Sequence, residues 1–229
     1  MARVTRHSMR GRFITFEGGE GSGKSTHARL LADRLKAQGL DVVLTREPGG
    51  STGAEVIRHI LLSGGAKPFG PETEAILFAA ARDDHIRTRI APALADGSWV
   101  ISDRFIDSTR VYQGIVSRVD HRLIRGLERV TVGTVVPDLT LIIDVPAELG
   151  LARAARRRAK SHADRFEAED IEFHELLRQA YLTLVKLEPE RCALIDGRNA
   201  REVVAGDVWK IVAERLHVQP VRTPEAVAP

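Results

Sequence analysis

The sequence predicts an α/β domain built on a doubly wound, five-stranded parallel sheet with flanking helices. Three observations lead there. Short apolar runs alternate with longer amphipathic stretches, the pattern of successive βαβ units. The first apolar run feeds directly into a glycine-rich loop and then a helical stretch. Two later apolar runs end on aspartates, Asp103 and Asp144, and the carboxyl ends of strands are where such sheets gather ligands.

Taken in order, residues 13–16 read as the first strand and 25–37 as the helix after it, ended near Gly39. A second strand at 41–45 runs into a Pro-Gly-Gly turn at 48–50, and helical periodicity resumes over 53–62 and 72–94. Strands follow at 99–102, 139–144 and 193–196, and helices at 169–187 and 201–216 close the domain. Between the last two strands an arginine-dense stretch, 153–165, is interrupted by no strand. Residues 1–12 read as a flexible extension, 13–217 as one domain, and 218–229, with three prolines and no periodicity, as a disordered tail.

Composition narrows the class. Thirty-four basic residues against 31 acidic ones leave a net charge of +3 in 229 residues, too little for a chain that coats nucleic acid. The 43% hydrophobic and 28% charged content is that of a globular chain with a full core. A single cysteine, Cys192, rules out an internal disulfide framework or a multi-cysteine zinc site. No run approaches the ~18 apolar residues of a membrane span, and the basic start lacks the apolar stretch of a signal peptide. The expectation is a cytoplasmic protein with no membrane or nucleic-acid partner.

Gly18, Gly19, Glu20, Gly21, Ser22, Gly23, Lys24 and Ser25 fit G-x-x-x-x-G-K-[ST] at every fixed position, in the strand-to-helix context that pattern requires. The glycines let backbone N–H groups face phosphate oxygens, and the helix dipole behind them favours negative charge. Lys24 would reach the β- and γ-phosphates, the Ser25 hydroxyl would ligate Mg²⁺, and Thr26 continues the ATP-binding stretch. The fold is thereby a P-loop NTPase-type sheet. A guanine-reading Asn-Lys-x-Asp segment is absent, because the only asparagine, Asn199, precedes Ala200. The Asp-Glu strand end of motor and transport ATPases is absent too, since Arg104 follows Asp103 and Val145 follows Asp144. A compact kinase with a second, phosphate-bearing substrate remains.

Asp103-Arg104-Phe105 at the end of the third strand, Thr45-Arg-Glu-Pro-Gly-Gly50, and Ser108-x-x-x-Tyr112-Gln-Gly114 form a set. With that set the chain resembles the thymidylate kinases from about Phe13 to Leu216. The resemblance implies that Arg46 holds the dTMP phosphate, Arg104 bridges donor and acceptor phosphates, and Asp103 orients Mg²⁺ and its waters. Phe78 and Arg82 lie four apart and share a helix face. Periodicity alone suits a core phenylalanine, whereas the resemblance makes Phe78 the platform for thymine and Arg82 the donor to its O4. It places Tyr112 beneath the deoxyribose, Thr109 and Gln113 in the thymine pocket, and Glu20 near the sugar 3′-hydroxyl.

Arg153, Arg156, Arg157, Arg158, Lys160 and Arg165 put six positive charges in thirteen residues. A solvated basic face would look the same. The resemblance, to the lid-arginine bacterial branch, makes residues 153–168 a mobile lid that closes through Asp164, Arg165, Phe166 and the substrate-binding Glu167. Arg153 and Arg157 are its candidate catalytic arginines, with Arg157 favoured for the γ-phosphate. The reaction implied is ATP + dTMP giving ADP + dTDP on the way to dTTP. The acceptor phosphate has a second pKa of ~6 and needs no general base. A kinase for dUMP, CMP or GMP, and a nucleotide-binding regulator without catalysis, are the alternatives. The family is typically homodimeric, which is the expectation here.

Overall fold

A computed structural model of the chain describes residues 10–158 and 166–218; the side chains of Arg157 and Arg158 also lie outside the description. Five strands, β1 (Phe13–Glu17), β2 (Val42–Arg46), β3 (Trp99–Asp103), β4 (Leu139–Asp144) and β5 (Cys192–Asp196), form one sheet. Its order is β2-β3-β1-β4-β5 and every pairing is parallel. The chain thus leaves β1, returns beside it as β3, and crosses to its other side as β4. That places a switch point at the carboxyl end of β1, where a crevice opens. Phe16 is in register with Asp103, so the loops after β1 and β3 emerge side by side.

Alternation along β1 sends Ile14 and Phe16 to one face and Phe13 to the other, and all five β1 residues are buried. On the first face they meet Leu31 and Leu35 of α1 (Lys24–Ala37) and Val208 and Val212 of α9 (Arg201–Leu216). On the second, Phe13 stacks edge-on against Phe105 at 4.9 Å, beside Ile86 and Ile90. The predicted helix over 72–94 is one rod: α3 (Pro71–His85), a π-helical stretch over Ile86–Ile90, and α4 (Ala91–Ala95). The wide turn, in which Ala91 donates to the Ile86 carbonyl, accommodates Pro92, which has no N–H to contribute.

Residues 106–116 and 121–131, given no element from sequence, are helical. α5 (Ile106–Thr109) opens into π-helical turns over Arg110–Val116, and α6 (His121–Thr131) is capped by Asp120, which accepts from Arg122 N at 2.8 Å. Tertiary packing of Val111 and Tyr112 sustains the wide turns, which no 3.6-residue periodicity announces. α2 (Thr52–Leu62) and α8 (Ile171–Leu187) match the expected helices closely, α8 beginning at its Asp170 cap. The arginine-dense stretch continues a helix, α7 (Ala147–Arg158). Residues 159–165 of the expected lid, 1–9 of the expected extension and 219–229 of the expected tail lie outside the described residues. Gly11, inside the expected extension, donates to the Leu94 carbonyl at 2.9 Å and is buried.

α7 lies directly on the loop after β1. A Cβ on Gly150 would stand 2.3 Å from the Glu20 carbonyl oxygen, and one on Gly21 would stand 1.9 Å from the Gly150 oxygen. Backbone cannot yield as a flexible side chain would. Gly150→Ala is therefore expected to destabilise the fold by about 1–3 kcal/mol, read as a lowered denaturant midpoint at unchanged slope. An unshifted midpoint would show that the contact carries no weight.

Candidate active site

Gly18, Gly21 and Gly23 take φ values of 135°, 64° and 100°, which side chains disfavour, and so the loop curls back over the start of α1. Lys24 Nζ fills the curl, donating to the carbonyls of Gly18 (3.1 Å) and Gly19 (2.7 Å) and lying 3.4 Å from Ser22 Oγ. Burial lowers the Lys24 ammonium to about 8, and the nearby Arg104 adds to the fall against the pull of Glu20, Asp103 and Glu17. Glu20, Gly21, Gly23, Lys24, Ser25 and Thr26 line one side of a cleft of about 440 Å³.

At the end of β3, Ser25 donates to the Asp103 carboxylate. Two hard oxygen donors thus stand together at the rim of the loop, the donor chemistry Mg²⁺ takes. Among the described residues no group of three or more His, Cys, Asp or Glu could hold a metal ion. An ion held here would draw its remaining ligands from phosphate and water, as Mg²⁺ in nucleotide sites does.

Arg104 follows with φ 71°, a left-handed conformation rare for a side-chain-bearing residue, and its N–H donates to the Phe16 carbonyl at 2.9 Å. That turn swings the guanidinium over the phosphate loop. Nη1 donates to Ser108 Oγ at 3.1 Å, Nη2 to Glu20, and the guanidinium lies 5.1 Å from the Tyr112 ring centre. Glu20 also accepts from the Tyr112 hydroxyl at 3.0 Å. Burial would raise the Glu20 carboxyl, but Arg104 and Lys24 overcome it and hold the group at about 2.

Beneath this lies a carboxylate that the sequence reading did not single out. Glu17, the last residue of β1, is wholly buried. It accepts from the backbone of Phe105 (2.8 Å) and Ser108 (3.2 Å) and from the hydroxyls of Ser108 (2.7 Å) and Tyr181 on α8 (2.9 Å). Burial raises its carboxyl, Asp107 adds to the rise, and Arg104 with the hydrogen bonds limits it to about 7. Only its place before the loop in sequence could have pointed to it.

The opposite wall comes from α3 and the segment after β2. Arg82, 2% exposed, donates through Nε to Glu47 (2.7 Å) and through Nη2 to the Phe105 carbonyl (3.2 Å) and Thr109 Oγ1 (3.0 Å). Its Nη1 and the Nε2 of Gln113 are buried without partners, and both residues line the cleft. Phe78 lines it one turn away, 6.3 Å from the ring of Phe166, which also stands edge-on to Tyr112 at 5.3 Å. Arg46 reaches the cleft from β2, more than half exposed and paired with Glu55 at 2.9 Å. Arg58 of α2, which sequence reasoning missed, lines the same corner and donates to the Pro48 carbonyl. Glu167 lies at the rim.

Of the expected site residues, Gly18, Gly19, Ser22 and Arg153 are outside the cleft lining, and the other described ones line one cleft. Arg153 lies outside the cleft lining; it donates to the carbonyls of Gly197 (2.8 Å) and Arg198 (3.4 Å), in the turn after β5. The Arg157 side chain is among those not described.

Comparison with known proteins shows the family. A family model described as thymidylate kinase matches residues 16–208. The chain belongs to the thymidylate kinase family. It is an enzyme of the nucleoside monophosphate kinase class. It is 56% identical over 215 residues to a thymidylate kinase of Bradyrhizobium sp. (strain ORS 278), covering 94% of this chain and 95% of that one. It is 58% identical over 208 residues to one from Rhodopseudomonas palustris (strain BisB18), covering 90% of each. The crystal structure of thymidylate kinase from Ehrlichia chaffeensis superposes with a TM-score of 0.72 at 35% identity, over 89% of this chain and 99% of that one.

The buried Glu17 has a consequence in solution. Its carboxyl sits at about 7 in the fold against an ordinary value of 4.5, so between those values the folded chain keeps a proton that the unfolded chain releases. Its contribution is full below the unfolded value and is lost as pH rises through that window. From about pH 5 to about 7.5 the wild-type Tm should fall relative to that of Glu17→Gln, measured by calorimetry. Parallel curves would remove Glu17 from the titration.

Proposed function

We propose that this protein transfers the γ-phosphoryl group of Mg·ATP to dTMP, giving ADP and dTDP for dTTP synthesis in the cytoplasm. The observation that carries the reading is Arg82, whose guanidinium is held by Glu47, Phe105 and Thr109 with Nη1 buried and unpartnered, in a wall of the cleft that Phe78 also lines. A guanidinium only donates, so a base presenting a carbonyl oxygen there completes it, and cytosine's amino group leaves it unmatched. Tyr112, packed against Phe166, fills the space beneath the sugar, and Glu20 stands ready for the 3′-hydroxyl.

The acceptor phosphate is already ionised, so the residues have charge to balance and atoms to align rather than a proton to remove. Lys24 holds the β- and γ-phosphates, Arg46 the acceptor phosphate, and Arg104 the space between. Phosphate in the loop would restore the charge on Lys24 that burial opposes. Ser25 and Asp103 would hold Mg²⁺, which when bound neutralises charge on the β- and γ-oxygens. Of the lid arginines, Arg157 is assigned to the γ-phosphate, since Arg153 is engaged by the turn after β5.

Arg104→Ala is expected to lower kcat by about two to four orders of magnitude with the fold retained, measured by ADP release. Among dTMP, dUMP, CMP and GMP, dTMP should give the highest kcat/KM. A higher value for another monophosphate would replace the substrate but keep the phosphate machinery. Homodimerisation belongs to the same proposal. Val56 and Ile60 of α2 and Ile76 of α3 are exposed apolar residues, and sedimentation should give twice the chain mass of 25.2 kDa.

A further inference from the structure

Behind Arg82 stands a second layer of side chains. Glu47 is 6% exposed and His85 wholly buried. Glu47 takes Arg82 Nε on one oxygen and lies 3.0 Å from His85 Nδ1 with the other. His85 Nε2 lies 2.7 Å from Thr45 Oγ1. The tautomer follows from the partners: a carboxylate only accepts, so Nδ1 carries the proton, and Nε2 accepts from the Thr45 hydroxyl. The chain of bonds thus runs from Thr45 on β2 through His85 on α3 to Glu47, and from there to Arg82.

No link is redundant. Glu47 has both oxygens committed, and each histidine nitrogen has one partner. The turn after β2 closes on the far end, since a Cβ on Gly50 would lie 2.4 Å from Thr45 Oγ1 and 2.5 Å from His85 Nε2. A buried ion pair adds little net stability over apolar residues of the same size, so its effect here is to fix a direction. Without Glu47 the guanidinium would keep only its Nη2 bonds to Phe105 and Thr109, and with Nε released Nη1 would be held less firmly in one direction.

We propose that His85 and Thr45 are positioning residues for base selectivity. They hold Glu47 so that Arg82 presents its single unpartnered nitrogen to a pyrimidine carbonyl and disfavours an amino group at the same place. The proposal rests on the base-reading role of Arg82 given above.

The test is steady-state kinetics on the full chain with ATP and either dTMP or dCMP, for His85→Leu, His85→Asn, Thr45→Val and Arg82→Met, with Tm measured for each. His85→Leu should raise the KM for dTMP and lower the dTMP-over-dCMP ratio of kcat/KM, each by about tenfold, while the KM for ATP stays within about twofold. His85→Asn, whose amide can still donate to Glu47, should recover most of the ratio; Thr45→Val should lower it by a smaller factor. An unchanged ratio in His85→Leu, or KM values for ATP and dTMP that rise together with a lowered Tm, would overturn the proposal. If His85→Leu fails to fold, an unchanged ratio in Thr45→Val overturns it instead. Arg82→Met separates the two levels. If it keeps the ratio, the base-reading role itself fails; if it loses the ratio while His85→Leu keeps it, only the positioning role fails.

Discussion

Lys24 and Arg104 share a buried cleft in which each raises the cost of the other's charge, and burial with that repulsion brings Lys24 down to about 8. Three carboxylates answer them from three directions: Glu17 from beneath, Glu20 from the loop, and Asp103 from the end of β3. Their responses differ because their surroundings do. Glu20 faces both cations and is held near 2, while Glu17, deeper and beside Asp107, is pushed to about 7. On the proposed function, two cations balanced by nearby carboxylates would suit the site to a polyanion. Pre-oriented charge is what phosphoryl transfer asks of a protein.

Recognition and chemistry are divided between elements. The ends of β1 and β3, side by side through the register of Phe16 and Asp103, carry the residues proposed to handle phosphate. The rod begun by α3 carries Phe78, Arg82 and His85. The two walls meet where Arg82 donates to the Phe105 carbonyl, one residue beyond Arg104. Arg82 and Arg104 are thus located relative to each other by one short backbone segment, which on the proposed function would align a base reader with a phosphate bridge without a long lever between them. The same segment answers to Glu17, which accepts from the Phe105 N–H.

Most of the fold was legible because its signals are local. Apolar runs of four to six residues located all five strands, and the helix over 72–94 was found at nearly its full length despite Pro92. The segment at 106–131 was not, because its wide turns follow no single period and depend on the packing of Val111 and Tyr112 under α8. Within the site, the glycine loop, Asp103, Arg104 and Arg46 stood in motifs, while Phe78 and Arg82 were singled out only through the family resemblance. Glu17, His85, Arg58 and Tyr181 were not, because each is an ordinary residue whose meaning lies in a partner far away in sequence, 164 residues away in the bond from Tyr181 to Glu17.

The sequence by itself determined the alternation of strands and helices, the phosphate loop and the family, because these depend on spacing along the chain. Tertiary structure alone decided the strand order, the seat of α7 on the loop at Gly150, and the turning of Arg153 toward Gly197. It alone revealed the bonds from Thr45 through His85 and Glu47 to Arg82. The physical reason is common to all of these: burial, hydrogen-bond partnership and the balance of buried charge are set by neighbours in space, and one chain read in order does not name them.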